Sequence, residues 1–534
     1  MIVRAKQSAA AGDWDDARTD AELASRYNPE FAPALLLRAE LKIERRDWAA
    51  ASKLLETYLR LETEDENAQR LLGLCREASD EETSAVVTGI ADRLVTMGML
   101  PIAEALFIRS KERIGLYRKQ LEQAFPGCTQ RGFSSDKDGN IYLDSLGERQ
   151  DLVDLAPLAG MPIVRLRLNR TKVLDLGPLK DMPLTDLDIS FTQIRDLTPL
   201  KGMPLTTFNA RESRVDDLSP LQGAPLQSVE ISQTSVASLE PLRGAPLRFL
   251  RATHTQITDL APVVCATLHE LDLNSSTIED LEPLNGSKLT SLRLSNTRVT
   301  DLGPLANVPL SRLAIERTRV TDLGPLSNVP LRQLQLAGCS IVDLKPLTGM
   351  ALTELDLNGL PISDLMPLSG MQLSTLNLTN TSVSDLTPLA KLRLVALGLA
   401  GTKVRDLKPL SGLPLTILDL SHTPVVDLAP LARCPLQSLT LDGSLVTDLR
   451  PLSKTPLAQL RVDGTPVTDL SPLATCPLER LVLSLPASAK DLKMLHALPS
   501  LRQIGTTWDQ SWNRIPVARM FWQRPDVQAL ESGR

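Results

Sequence analysis

The fold is decided by a recurring stretch, one copy of which reads Leu184-Thr-Asp-Leu187-Asp-Ile189-Ser-Phe-Thr192-Gln-Ile194-Arg-Asp196-Leu197-Thr-Pro199-Leu200. It ends in the phrase Asp-Leu-x-Pro-Leu, which returns every 21 residues from Asp154 to Asp469. Sixteen copies follow one another without insertion or deletion, and only Ser238 replaces the aspartate. A fixed period of this length predicts a solenoid, in which each repeat packs only on its neighbours.

The apolar residues of one repeat recur at fixed positions and are expected to point inward. Asp186, Asp188 and Ser190 alternate with them and should face outward on the concave side. The pattern closely resembles the internalin-like leucine-rich repeats, which implies a right-handed solenoid with a parallel concave sheet. With helical repeats in front of it, the predicted fold class is α+β repeat protein. The inward positions are Leu184, Leu187, Ile189, Ile194, Leu197 and Leu200.

Two polar positions of the repeat are predicted to be structural. Ten copies carry threonine after the strand, where its hydroxyl can satisfy backbone groups of neighbouring turns. Leu360 cannot do so and is a predicted weak point, whereas Pro486 marks the end of the regular array. Asp196 precedes a proline-containing turn, so we predict an N-cap followed by a 3₁₀ turn and not an ion site.

The first 125 residues have a period of 34, shown by Trp14 and Trp48. This period and the Asp-Trp pairs resemble the tetratricopeptide repeat, which implies pairs of helices. Both tryptophans are expected to pack against alanines. The first helix would be cut short at Met1, so we expect coding sequence upstream. Helices are predicted at 14–27, 31–45, 48–61, 65–78 and 101–124.

The chain therefore divides into four predicted parts. Residues 1–125 form tetratricopeptide-like repeats, and 126–150 form a linker and solenoid cap with a hairpin at Asp138-Gly139. The solenoid spans 151–485. Residues 486–534 form a C-terminal cap in which Trp508, Trp512 and Trp522 cover the last repeat. This ending resembles the tails of planctomycete-type bacterial repeat proteins, some of which carry a serine/threonine kinase domain upstream.

Composition argues against several classes of partner. The net charge is −6, so neither nucleic acid nor an anionic membrane is predicted as a partner. The start of the chain lacks the apolar core of a signal peptide, and no apolar run is long enough to span a membrane. Six scattered cysteines favour reduced thiols. We therefore predict a cytoplasmic protein, and the sequence leaves its oligomeric state open.

No motif of known chemistry is present. The sequence lacks a glycine-rich kinase loop, His-Arg-Asp, Asp-Phe-Gly, a P-loop and a His-Glu-x-x-His motif. Of the four histidines, His254 and His422 share a repeat position but lie eight repeats apart. We therefore predict no enzyme, no catalytic residue, no cofactor and no metal site.

The concave face is the predicted protein-binding surface. Its charges alternate in sign over the first half, which suits a protein with its own alternating charges. Charges kept only for solubility are the simpler explanation. The candidate protein-binding residues are Arg165, Arg167, Asp186, Asp188, Arg211, Glu230, Arg251, Asp272 and Arg293.

The predicted function is a non-catalytic protein–protein interaction scaffold that uses this concave face. The alternative is the regulatory or substrate-recognition region of a serine/threonine kinase whose catalytic domain lies upstream or was lost. A third possibility, an internalin-like surface adhesin, would need a signal peptide and an anchor. Nothing in the sequence names the partner.

Overall fold

A computed structural model describes residues 1–10, 13–80, 84–97, 102–103, 106, 110–130, 132–136, 139–484, 488–505 and 518–532. The chain forms two compact units, Met1–Ala245 and Pro246–Arg534, which are described separately. The first unit holds the helical segment and the first repeats. The second unit holds the remaining repeats and the C-terminal elements.

The first unit begins with antiparallel helices whose bounds match the 34-residue period. Asp13 and Asp47 occupy equivalent N-caps, and each side chain accepts a backbone N–H three residues further on. Four of the five predicted helices are confirmed within a few residues. The fifth, predicted at 101–124, was too long at its start, because Leu106 lies in a turn and the helix is described from Ser110; Pro101 lies outside the described residues. The helices are α1 Ile2–Ala10, α2 Trp14–Tyr27, α3 Ala32–Glu44, α4 Trp48–Leu59, α5 Glu66–Asp80, α6 Ser84–Thr96 and α7 Ser110–Ala124.

Small residues bring these helices close together. Ala17, Ala21 and Leu37 are fully buried in one cluster, against which Trp14 packs. Trp48 is buried as well. The predicted packing role of the tryptophans is therefore confirmed.

The strands of the first unit begin with a hairpin. β1 and β2 are antiparallel, as the hairpin signal predicted, although Asp138 itself lies outside the described residues. From β2 to β6 each strand then pairs in parallel with the next. The bounds are β1 Phe133–Ser135, β2 Ile141–Leu143, β3 Ile163–Arg167, β4 Asp186–Asp188, β5 Thr207–Asn209 and β6 Ser228–Glu230.

The second unit continues the same parallel arrangement from β7 to β19. From β7 to β18 the paired residues are 21 apart, so equivalent side chains form straight columns. The bounds are β7 Phe249–Arg251, β8 Glu270–Asp272, β9 Ser291–Arg293, β10 Arg312–Ala314, β11 Gln333–Gln335, β12 Glu354–Asp356, β13 Thr375–Asn377, β14 Ala396–Gly398, β15 Ile417–Asp419, β16 Ser438–Thr440, β17 Gln459–Val462, β18 Arg480–Leu483 and β19 Gln503–Gly505.

The inward leucines form the core of both units, as predicted. Leu187, Ile189 and Leu200 are at most 1% exposed, and the same holds for nearly all their equivalents. Leu360, in the threonine position, is also fully buried. Each repeat therefore buries a complete aliphatic set, which is the dominant favourable contribution to folding.

Each aspartate of the recurring phrase closes a turn, but one residue earlier than predicted. Its carboxylate accepts the backbone N–H two residues further on, at 2.7 to 2.9 Å in all fifteen copies. The following leucine, such as Leu197, occupies the N-cap of the 3₁₀ turn and makes no side-chain cap bond. The prediction that Asp196 is the N-cap was therefore wrong by one position, because the bond is an Asx turn.

Three helices and a cluster of three rings lie at the C-terminal end. Ser488 caps the first of them, and its hydroxyl accepts the N–H of Asp491. His496 stacks on Trp522 at 4.5 Å, and Phe521 meets Trp522 edge-on. Pro486, Trp508 and Trp512 lie outside the described residues. The helices are α8 Ala489–His496, α9 Ala518–Trp522 and α10 Pro525–Ser532.

Candidate functional site

The outward columns of the first unit hold a network of ion pairs. Arg165 Nε lies 3.0 Å from Asp186 Oδ2 on the neighbouring strand. Arg167 reaches Asp144, Asp186 and Asp188, at 3.4, 3.4 and 3.3 Å. The 21-residue register causes these contacts, because it places Arg165 opposite Asp186 and Arg167 opposite Asp188. Four of the predicted residues therefore form one connected cluster.

An aromatic side chain that the sequence analysis missed lies beside this cluster. Tyr142 is half-buried in β2, and the guanidinium of Arg165 lies 5.5 Å from its ring centre. Its hydroxyl donates to Asp136 at 3.2 Å. The tyrosine is thus held on the outward face by a cation–π contact and a hydrogen bond. Its position in the predicted hairpin was the available signal.

A second missed aromatic side chain lies at the edge where the strands end. Phe191 is half-buried between two arginines, with the guanidinium of Arg170 at 4.9 Å and that of Arg211 at 5.6 Å from its ring centre. Its φ of +57° is in the left-handed region, which bulky residues rarely adopt. The chain holds only eight phenylalanines, so one in a polar turn column was a detectable signal.

Three predicted carboxylates have a structural task in addition to their place on the surface. Asp188, Glu230 and Asp272 each accept the backbone N–H two residues further on, at 2.9, 3.0 and 3.2 Å. These bonds close the turn that follows each strand. A partner can therefore use only the remaining acceptor capacity of these three groups.

The second unit presents a smaller set of predicted residues. Arg293 lies 3.4 Å from Asp272, whereas Arg251 is exposed and makes no ion pair with any residue of the described chain. Phe249, two residues before Arg251 and on the same face, is 43% exposed. Phe249 is the third aromatic residue that the sequence analysis missed. An unpaired arginine and an exposed ring are available to a partner here.

A buried ion pair lies in later repeats of the second unit. Arg461 Nε lies 2.7 Å from Asp442 Oδ2, and both side chains are below 10% exposure. Burial raises the pKa of Asp442, which the contact with Arg461 partly offsets. The other oxygen of Asp442 accepts the N–H of Asp463. Both groups are satisfied within the repeats, so this pair supports the fold.

The described residues offer little for metal chemistry or membrane insertion. Within them, no three His, Cys, Asp or Glu side chains are arranged to hold a metal ion. No helix in this part of the chain is both long and apolar enough to cross a membrane. The candidate site is therefore a polar surface with aromatic side chains.

These features define the class of protein. The chain is a leucine-rich-repeat protein that begins with tetratricopeptide-like helices. Repeat folds of this kind generally present extended surfaces to protein partners.

Comparisons with known proteins agree with this class. Residues 8–75 match the tetratricopeptide repeat model. The comparison with curated proteins gives no match.

Among solved structures, three similar chains contain leucine-rich repeats or are internalins. An internalin, InlF of Listeria monocytogenes, is 20% identical, with 70% of this chain and 87% of that chain covered and a TM-score of 0.35. The functional domain of InlJ from the same organism is 19% identical, with coverages of 68% and 72% and a TM-score of 0.40. The leucine-rich-repeat domain of APL1B is 16% identical, with coverages of 66% and 83% and a TM-score of 0.31. The fold assignment rests on the repeat geometry described above.

Proposed function

We propose that this protein is a non-catalytic scaffold that binds protein partners through the concave face of its repeats. The observation that supports this most is the placement of Tyr142, Phe191 and Phe249 beside arginines on outward positions. Tyrosine and arginine are enriched among the residues that dominate binding energy at protein interfaces, and phenylalanine is enriched in interfaces generally. A face kept only for solubility has no need of aromatic side chains in outward positions.

The proposed binding patch has a part in each unit: Tyr142, Phe191 and the predicted charged residues from Arg165 to Glu230 in the first, and Phe249, Arg251, Asp272 and Arg293 in the second. In each unit it places both signs of charge within a few ångströms, as Arg165 and Asp186 show. Such a surface fits a partner that also carries both signs, and it disfavours a uniformly charged polymer. We also propose the division into 1–125, 126–150, 151–485 and 486–534, with binding by the third part.

Charge reversal on the patch tests this proposal. Partners are first captured with the intact chain, and their affinity is then measured with Arg167, Arg251 and Arg293 changed to glutamate. We expect capture to be lost while the chain stays folded, with a small fall in melting temperature because Arg167 and Arg293 lose their ion pairs. Arg195→Glu is the control, because Arg195 pairs with Asp216 at 2.6 Å in a column outside the patch. Equal loss in both variants, or in neither, would place the site elsewhere.

A cytoplasmic location is part of the same proposal. All six cysteines are free thiols, and five of them are buried. Burial raises the pKa of Cys75 to about 12, which keeps it a thiol at neutral pH. Free thiols are typical of proteins in reducing compartments. Fractionation of cells that express the tagged full chain checks the location.

A further inference from the structure

Three arginines lie at one edge of the second unit, and one of them, Arg317, holds the same repeat position as Phe191 of the concave patch. Arg298 and Arg319 hold equivalent positions in successive repeats, and the N–H of Arg319 bonds to the carbonyl of Val299 at 3.2 Å. Their backbones are therefore about 5 Å apart. Arg317 lies two residues before Arg319 on the same turn, and all three side chains are exposed. We call this set the edge arginines.

The edge arginines have no counter-charge in the described chain. None of them forms an ion pair within 4.0 Å of a described carboxylate. The nearest acidic residue in sequence, Glu316, instead accepts the hydroxyl of Ser295 at 3.0 Å. The aspartates of the same repeats each close a turn through the N–H two residues further on. These local carboxylates thus accept other hydrogen bonds and form no ion pair with the edge arginines.

Elsewhere in the structure, neighbouring repeats often pair opposite charges across the same 21-residue step. Arg195 meets Asp216 at 2.6 Å, and Arg293 meets Asp272 at 3.4 Å. At the repeat position of Arg298 and Arg319, by contrast, the repeat before carries Thr277 and the repeat after carries Ser340. In no other two successive repeats are both residues at this position positively charged. Like charges at this separation repel, so an anion at this edge would relieve the repulsion.

The backbone next to the edge arginines leaves room for the Arg317 side chain. The turn after Arg317 carries Gly338, with a φ of +71°. A Cβ there would lie 3.1 Å from Cγ of Arg317, so the glycine lets the arginine side chain lie across the turn. The next turn has Gly359 at the same position, where a Cβ would meet only the N–H group of Gly338, at 3.9 Å. The two glycines therefore leave space for the Arg317 side chain over the next turn.

We propose that the edge arginines bind an acidic segment of a partner protein, through residues other than those of the concave patch. A guanidinium can bind a carboxylate through two parallel hydrogen bonds, which favours arginine over lysine at such a site. An extended acidic segment rises about 3.3 Å per residue, so two of its residues span the step of about 5 Å between the two repeats. A long polyanion such as nucleic acid needs many cations, and the net charge of −6 opposes it.

A fluorescent peptide of about eight glutamates, long enough to span the edge arginines, tests the proposal with the full chain. Its affinity is measured by fluorescence anisotropy for the native chain and for the Arg298→Gln, Arg319→Gln double variant. We expect the double variant to bind at least about tenfold more weakly, and the native affinity to fall as salt is added. The matched control is Lys403→Gln, the equivalent position four repeats further on, which should bind as the native chain does.

Three results would overturn the proposal. The first is equal affinity in the native chain and the double variant when both melt at the same temperature. The second is an equal loss in Lys403→Gln, which would show that the peptide senses only overall charge. The third is tighter binding of oligothymidylate than of the peptide, with the same dependence on Arg298 and Arg319, which would assign the edge to nucleic acid. None of these results bears on the concave patch, which uses other residues.

Discussion

At the scale of single residues, the threonine column shows how a repeat satisfies its buried backbone. All ten threonines donate their hydroxyl to the carbonyl three residues earlier, at 2.6 to 2.7 Å. The bond lies within one turn. The sequence analysis had suggested instead that the hydroxyls connect neighbouring turns. Cys339, which replaces threonine in its repeat, donates its thiol to the carbonyl of Ile315 in the preceding repeat. The hydroxyls thus stabilise each repeat individually.

Replacing one of these threonines should cost about 1 kcal/mol in free energy of unfolding. Thr402 is 3% exposed and donates to Leu399 at 2.6 Å. Thr402→Val keeps the shape but removes the donor, so the carbonyl loses a partner. Thermal unfolding followed by circular dichroism should show a melting temperature a few degrees lower. Thr300→Val, at an exposed threonine, should leave it unchanged, and an equal shift in both would show that the bond is immaterial.

The helical segment contains a carboxyl group whose ionisation opposes folding. Glu40 in α3 is 2% exposed, and burial raises its pKa to about 8, with Lys6 acting in the opposite direction and Asp65 in the same one. The folded pKa lies above the unfolded value of 4.5. The protonated group is therefore fully compatible with folding below pH 4.5, and stability is lost as the pH rises from there to about 8.

Glu40→Gln should remove this pH dependence. By linkage the native chain loses on the order of 3 kcal/mol of local stability between pH 4.5 and 7, and the amide loses none. The midpoint of unfolding of the helical segment is measured at several pH values for the native chain and for Glu40→Gln, and the two sets of midpoints are compared. Glu22→Gln, at an exposed carboxylate of α2, should keep the native slope. If the unfolding midpoints of the native chain and of Glu40→Gln changed with pH in the same way, the account would be contradicted.

At the scale of elements, the aspartate turn determines how each strand connects to the next repeat. At Asp196 the carboxylate accepts from the side chain and the backbone of Thr198, and these hydrogen bonds lower its pKa. Ser238 performs the same task with a longer contact, 3.2 Å to the N–H of Glu240. Asp280 has the same following residues, Leu and Glu, and closes its turn at 2.8 Å. An aspartate at position 238 should therefore be able to close the turn in the same way.

Ser238→Asp is predicted to stabilise the first unit. The shorter, charge-assisted bond should raise the melting temperature by about 1 °C. The reverse change, Asp280→Ser, should lower the melting temperature of the second unit by a similar amount. Differential scanning calorimetry measures both. A fall in Ser238→Asp would show that Glu240 repels the new carboxylate more than the turn gains.

The sequence predicted most elements because each repeat contains its own strand, turn and proline signals. The 21-residue period placed Asp186–Asp188 as a strand, and the 34-residue period placed Trp14–Tyr27 as a helix. The surface was harder to predict, because outward residues are free to vary without affecting the fold. Phe191 and Tyr142 escaped notice because their importance comes from arginines one repeat away, a contact that no local pattern encodes.

At the scale of the whole molecule, the repeats separate a constant scaffold from a variable surface. The aspartate position is the same in fifteen of the sixteen repeats and the threonine position in ten, and both side chains face their own turns. The outward columns differ from repeat to repeat, and they hold the aromatic side chains, the ion network of Arg165 and Arg167, and the unpaired Arg251. This division supports a protein whose fold depends on the repeated positions and whose specificity depends on the others.

Hydroxyl-radical footprinting of the chain with a captured partner tests the central claim most directly. Tyr142, Phe191 and Phe249 report on the proposed concave patch, whereas Leu174 and Met366, at least 60% exposed, report on columns outside it. Concave-face binding predicts reduced oxidation of the three aromatic residues in the complex, with Leu174 and Met366 unchanged. Protection of Leu174 or Met366 with unaltered oxidation of the aromatic residues would contradict it.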